Sequence, residues 1–252
     1  MYNFFKYLLF RPVVKFLFRG TVVGEENIPT TGGALLASNH IAAGETFITP
    51  ALIRRTLTFP AKAELFKGNR GLGSKIVAWF MKSIKQVPLD REGGRVSLEG
   101  LRPVLQVLAD GGLVGIYPEG TRSPDGRLYK GHTGVARMAL AAGVPVIPVA
   151  AFRTGAVKGL FGIPWISRPH VVIGKPLDFS AYAGLHDDRA TLRWITDEVM
   201  AGIQELSGQT YVEAYALSVK RGSLTPAEAD ARVQERPGLG STPPPLPSGK
   251  LS

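Results

Sequence analysis

Five short apolar runs, each bounded by Gly, Pro or polar residues, constrain this chain more than any other feature: 33–39 (GALLASN), 56–61 (TLTFPA), 112–117 (GLVGIY), 144–151 (VPVIPVAA) and 170–174 (HVVIG). Each is close to continuously hydrophobic, the pattern of a strand buried on both faces. Helical spacing fills the intervals at 45–54, 73–81, 95–109, 133–142 and 187–206, with Pro103 a start or kink in the third. The alternation predicts an α/β fold: a mixed, mostly parallel sheet covered by helices on both faces. At 252 residues, 44% of them hydrophobic, the chain is long enough for one sizeable core.

The two ends break this pattern. Residues 1–20 are aromatic and aliphatic but interrupted by Lys6, Arg11, Lys15 and Arg19, so they contain neither the ~20 apolar residues of a spanning helix nor the apolar core of a signal peptide. As a helix, the segment would set Arg11, Lys15 and Arg19 four apart on one face, with Phe4, Phe5, Leu8, Leu9, Val13, Phe16 and Leu17 supplying much of the rest. That amphipathic pattern predicts a helix lying in a membrane interface. At the other end, residues 221–252 are rich in Pro, Gly, Ser and charge, which predicts a flexible tail after a domain at 21–220.

Charge and cysteine content narrow the chemistry. Thirty Lys and Arg against twenty Asp and Glu give a net charge of +10, which favours anionic partners. The basic residues are dispersed and no aromatic-rich RNA-binding signature accompanies them, so a nucleic-acid partner is not expected. With no cysteine, disulfides, thiolate–metal sites and an acyl-cysteine intermediate are excluded. There is also no Gly-x-Ser-x-Gly elbow, and His132, His170 and His186 have no metal-ligand spacing.

Four blocks at the ends of predicted strands carry candidate chemistry. Ser38-Asn39-His40 ends the first run, and Glu45 is the fifth residue after the histidine. A neutral imidazole takes a proton from an alcohol when a carboxylate holds its other nitrogen, and Glu45 has the charge and proximity for that. Lys62, in Ala61-Lys62-Ala63-Glu64, offers a point charge for a phosphate, or a surface pair with Glu64. Pro118-Glu119-Gly120-Thr121-Arg122 combines a carboxylate, a residue free to turn sharply and a planar guanidinium fork matched to phosphate oxygens. The fourth block, Val144-Pro145-Val146-Ile147-Pro148-Val149, reads as core.

In this order and spacing the blocks resemble the glycerolipid acyltransferase family that includes the 1-acylglycerol-3-phosphate (lysophosphatidate) acyltransferases, over roughly residues 20–175. The resemblance implies that His40 is the catalytic base with Glu45 as its partner, and that Lys62, Glu119, Gly120, Thr121 and Arg122 belong to the acceptor site. It also implies an acyl thioester of coenzyme A or acyl carrier protein as co-substrate, a lipid phosphate acceptor, no metal or other cofactor, and a role in phospholipid biosynthesis. With the amphipathic amino terminus, it implies peripheral or monotopic attachment to the cytoplasmic face of a membrane bearing anionic lipids. The family pattern has Asp where this chain has Glu45, and compensation by the backbone is expected. A weakened lipid-binding homologue, or an acyltransferase for a glycolipid or lysophospholipid, is the alternative. The stretch 152–169, with Phe161, Ile163, Trp165 and Ile166 among Gly and Pro, reads equally as a lipid-dipping loop or a loop folded on the core.

Overall fold

The computed structural model describes residues 1–69, 71–89, 98–158 and 164–246. In chain order, α1 (Tyr2–Phe4) leads through further helical turns to β1 (Thr21–Val23), β2 (Ala34–Ser38), α2 (Glu45–Leu52), β3 (Leu57–Thr58), β4 (Pro60–Lys62), α3 (Leu72–Ser83), β5 (Val87–Leu89) and α4 (Leu98–Ala109). There follow β6 (Leu113–Ile116), β7 (Leu128–Tyr129), α5 (Gly134–Ala142), β8 (Val146–Phe152), β9 (Val157–Lys158), β10 (Pro164–Trp165), β11 (His170–Ile173) and α6 (Arg189–Ser207). The C-terminal elements are β12 (Tyr211–Val212), α7 (Ala216–Lys220), α8 (Pro226–Asp230) and β13 (Val233–Gln234).

The main sheet has the order β1-β11-β8-β2-β6-β3. Every pairing is parallel except β11 with β8. All five apolar runs contribute a strand to this sheet, and the five helical intervals become α2 to α6. Side chains alternate across the sheet as strand geometry requires. Leu35, Ala37, Val114 and Val146 pack on one face with Leu101 and Val104 of α4, Val135 of α5 and Ile195 of α6. Ala34, Leu36, Leu113 and Ile147 pack on the other with Ile48 and Leu52 of α2 and with Val14. Each fully buried leucine contributes roughly 1.5–3 kcal/mol, and Leu35 and Leu36 are buried on opposite faces.

The amino-terminal segment is helical over residues 2–17, but much of it has π-type backbone hydrogen bonds, such as Arg11 N to Lys6 O and Phe18 N to Val13 O. Lys6, which looked like an interruption of the apolar stretch, is buried. Its Nζ donates to the Arg54 and Arg55 carbonyls, both at 2.9 Å, at the end of α2. Desolvation lowers its pKa to about 8. The segment therefore docks on the domain through Tyr2, Lys6 and Val14 while Phe4, Leu8, Leu9, Phe16 and Leu17 remain exposed.

The expectation of a flexible tail from residue 221 requires correction as far as residue 246. Thr225 and Glu228 form a reciprocal capping box at the start of α8. Leu224 and Ala229 are buried in a small core with Tyr129, Val212 and Ala216, and β13 pairs with β12, which itself pairs with β7. A composition poor in large apolar residues signalled disorder, but two buried side chains and an available strand edge are enough to order it. Residues 247–252 lie outside the described residues.

Candidate active site

The parallel strands β2, β3, β6 and β8 end on the same side of the sheet, where ligand sites of open α/β folds collect. His40 lies just past β2, Glu119 past β6 and Thr154 past β8. Between β2 and α2 the chain turns sharply. Gly44 brings the helix so close to β8 that a Cβ there would sit 2.2 Å from the Thr154 carbonyl oxygen.

That close approach aims Glu45 back at His40. The His40 Nδ1 donates to Glu45 Oε2 at 2.6 Å. The other oxygen, Oε1, accepts from Ile41 N at 2.9 Å, Ala42 N at 2.7 Å and the Thr154 hydroxyl at 2.8 Å. Glu45 is completely buried, and four donors supply what water would otherwise provide to a carboxylate. The carboxylate, an acceptor only, fixes the Nδ1–H tautomer and leaves Nε2 with its lone pair. The side chain at position 45 thus reaches the imidazole directly.

The imidazole is held on its other sides as well. Its ring stacks on Tyr117 with centroids 4.0 Å apart and planes 13° apart, and Tyr117 stacks in turn on Phe59 at 5.3 Å. Burial pushes the Tyr117 phenol well above its ordinary pKa, so it stays protonated, 3.5 Å from the Thr46 hydroxyl. Asn39, fully buried, ties the end of β2 to β8 by accepting from Ala151 N at 2.8 Å and donating to Ala151 O at 3.2 Å. It also donates to Gln209 Oε1 at 2.8 Å.

Glu119 does not stand where an acceptor contact is expected. It is 1% exposed, and its two oxygens accept from the backbone amides of His40, at 3.0 Å, and Tyr129, at 3.0 Å. The His40 carbonyl is held from the same loop by Ser123 N at 2.7 Å. Glu119 therefore locks the histidine to the 117–123 loop from within. Burial raises its pKa from the ordinary 4.5 to about 8, against the two amides, with Glu45 adding repulsion.

The rest of the loop is open. Gly120 has φ +71°, the left-handed region, and a Cβ there would meet the His132 ring at 2.9 Å. His132, stacked on Tyr215 with centroids 4.5 Å apart, is a packing residue of this loop. Thr121 is half-buried, and Arg122 is exposed with no acidic partner among the described residues. Lys62, at the end of β4, is exposed and forms no ion pair with Glu64 or with any other described residue. The structure brings His40, Glu45, Glu119, Gly120, Thr121 and Arg122 together, and among the described residues no hydrogen bond or ion pair joins Lys62 to them. Among the described residues no group of three or more His, Asp or Glu side chains is placed to hold a metal.

Sequence reasoning missed Thr154, Tyr117 and Gln209. Thr154 reaches Glu45 across 109 residues, and no local pattern distinguishes it from any loop threonine. A tyrosine closing the third apolar run was visible, but its stacking on His40 depends on how neighbouring strands end.

A family model described as Acyltransferase matches residues 19–151. The 1-acyl-sn-glycerol-3-phosphate acyltransferase of Bacillus subtilis is 30% identical over 190 residues, covering 75% of this chain and 88% of that one. The chloroplastic LPAT1 enzyme of the same name from Arabidopsis thaliana is 31% identical over 159 residues, and there the match spans only 43% of the longer chain. Among solved structures, the 1-acyl-sn-glycerophosphate (LPA) acyltransferase PlsC of Thermotoga maritima shares the fold, with a TM-score of 0.56, 24% identity and 79% of each chain covered. With more than half of its length under the family model and its histidine and glutamate joined at the strand ends that the model covers, the chain belongs to the acyltransferase family.

Proposed function

We propose that the protein transfers a fatty acyl group from an acyl thioester to the free hydroxyl of 1-acylglycerol 3-phosphate in phospholipid biosynthesis. The observation that carries this reading is the His40–Glu45 pair: Nδ1 is committed to a buried carboxylate whose remaining lone pairs are satisfied, so Nε2 is available as a base. His40 Nε2 takes the proton of the acceptor hydroxyl as its oxygen attacks the thioester carbonyl. The tetrahedral intermediate then collapses with cleavage of the C–S bond, and the imidazolium returns the proton to the departing thiolate. No enzyme nucleophile is needed. Coenzyme A and acyl carrier protein are both suitable donors, and Arg122 supplies a fork for the acceptor's phosphate.

Thiol release from long-chain acyl-CoA and acyl carrier protein, measured across lysophosphatidate, glycerol 3-phosphate, lysophosphatidylcholine and a glycolipid, tests the assignment. Lysophosphatidate should give the highest kcat/KM. Preference for another acceptor would reassign the substrate, and release with none of them would make the protein a lipid-binding homologue.

Exposed apolar side chains support membrane docking as part of this function. Phe4, Leu8, Phe16 and Leu17 are each more than half exposed, and so are Ile76 and Trp79 of α3. Phe5 joins the two elements, with its ring 6.0 Å from Trp79. Trp165 extends the surface from the opposite end of the segment, edge-on to Phe18 at 5.2 Å, while Phe161 and Ile163 lie outside the described residues. Exposed apolar side chains concentrated on one segment and its neighbours suit an interaction site, and the exposed Lys15 and Arg19 of the same segment suit anionic headgroups. No helix among the described residues is long and apolar enough to cross a membrane. Because Tyr2, Lys6 and Val14 are buried, point substitutions test docking better than truncation. Leu8→Glu combined with Phe16→Glu should reduce co-sedimentation with phosphatidylglycerol-containing vesicles at least about tenfold, each buried CH₂ being worth about 0.8 kcal/mol. Undiminished co-sedimentation would remove this surface from the function.

A further inference from the structure

Arg122 is not the only cation at the open side of the 118–122 loop. Lys220, the last residue of α7, donates from Nζ to the Thr121 hydroxyl at 3.1 Å. It comes from a part of the chain well beyond residues 19–151, which the family model matches. Its position is set by packing. β12 pairs with β7, the Lys130 amide donates to the Ala214 carbonyl, Ala216 is fully buried, and Tyr215 stacks on His132, the ring that covers Gly120.

Among the described residues no ion pair joins Lys220 or Arg122 to an acid. Glu119 lies close, but both of its oxygens are turned inward onto amides. Partial desolvation and the neighbouring Arg122 hold the Lys220 ammonium below its ordinary pKa, against the pull of Glu119. Two like charges kept together without a counterion create an unfavourable arrangement that an anion between them relieves. The hydroxyl of Thr121, next to Arg122 in sequence and bonded to Lys220, adds a polar group at the same place.

We propose that Lys220 is the second cation of the acceptor's phosphate site, acting with Arg122 across Thr121, and that it selects a phosphomonoester dianion over phosphodiester or uncharged acceptors. The inference rests on the acyl-transfer reading of the His40 site and adds to it a residue that recognises the second charge of the acceptor. A phosphomonoester carries close to two negative charges at neutral pH, so one guanidinium leaves it half compensated. A phosphodiester carries one negative charge on its phosphate, offset in lysophosphatidylcholine by the choline ammonium, and monoacylglycerol carries none.

Two measurements separate this inference from the function it rests on. The first is steady-state thiol release by the full chain with lysophosphatidate, lysophosphatidylcholine and monoacylglycerol, comparing wild type with Lys220→Gln, Lys220→Arg and Lys175→Gln. Lys175 is exposed just past β11, which runs against its neighbour β8, and serves as a control for loss of surface charge. In Lys220→Gln the KM for lysophosphatidate should rise about tenfold with the loss falling on KM rather than kcat, in line with one charge-assisted hydrogen bond. The KM for monoacylglycerol should stay constant, and Lys220→Arg should recover most of the affinity. Equal losses on charged and uncharged acceptors, or no loss on lysophosphatidate, would overturn the proposal. The second is calorimetric titration with glycerol 3-phosphate, which needs no turnover. Wild type should bind it about tenfold more tightly than Lys220→Gln does, and equal binding, or none to wild type, would overturn the proposal. If no acceptor supports thiol release while the binding difference stands, the catalytic reading fails and the phosphate site survives.

Discussion

Glu45→Gln should lower kcat for thiol release by about 10³-fold, close to the loss of up to about 10⁴-fold expected for His40→Ala when a general base is removed. The amide must still present its oxygen to Ile41 N and Ala42 N, so its NH₂ faces His40 Nδ1. The imidazole then accepts at Nδ1 and carries its proton on Nε2, the nitrogen that has to receive one. Glu45→Asp tests the length of the side chain. Shortening it by one methylene should cost about 10²-fold, the scale of a 1 Å misplacement. The helix cannot advance to make up the difference, because Gly44 is already pressed against the Thr154 carbonyl. Glu45→Ala would also strip the Ile41 and Ala42 amides and the Thr154 hydroxyl of their acceptor, at about 1–3 kcal/mol for each buried group, so unfolding midpoints should accompany the kinetics. Full turnover by Glu45→Ala would end the dyad reading.

Glu119→Gln should also reduce kcat, by about 10- to 100-fold, although its side chain contacts no acceptor. One of its oxygens holds the His40 amide and the other the Tyr129 amide, so the substitution sets an NH₂ against an N–H and displaces the histidine or the loop. The same residue makes stability depend on pH. Its pKa is about 8 in the folded chain against an ordinary 4.5, so between these values the folded state holds a proton that the unfolded state releases. The contribution is fully present below about pH 4.5 and is lost as the pH rises through 8. Urea midpoints of wild type should therefore fall between pH 5 and 9, and Glu119→Gln should remove that part of the slope. An unchanged slope would show that the carboxyl group ionises normally when folded, with its two amide donors outweighing burial.

The positions of these residues were legible to different degrees. His40 and Glu45 are close in sequence at a strand–helix junction, so pairing them required only the end of one apolar run and the start of a helical one. Glu119 was legible as a residue of the site but not as a buried lock. Its charge and its neighbours Gly120 and Arg122 suggested an acceptor contact, whereas the strand ends of β2 and β6 lie side by side and turn its carboxylate inward. Lys220 fell at the edge of a segment whose composition suggested disorder, and nothing local connects it with Thr121, 99 residues earlier.

What the sequence determined by itself is therefore five of the six main-sheet strands and the helices α2 to α6, the mostly parallel α/β arrangement, and the histidine–glutamate pair with its following Pro-Glu-Gly-Thr-Arg block. These follow from hydrophobic periodicity and short spacings, which act over a few residues. Tertiary structure alone decided that Thr154 completes the Glu45 shell, that Tyr117 backs the imidazole, that Glu119 faces inward, that Lys6 is buried and that residues 221–246 are ordered. Each of these depends on which strand ends become neighbours. Parallel pairing joins segments separated by whole helices, so the contacts that finish the site span distances at which spacing in the sequence carries no signal.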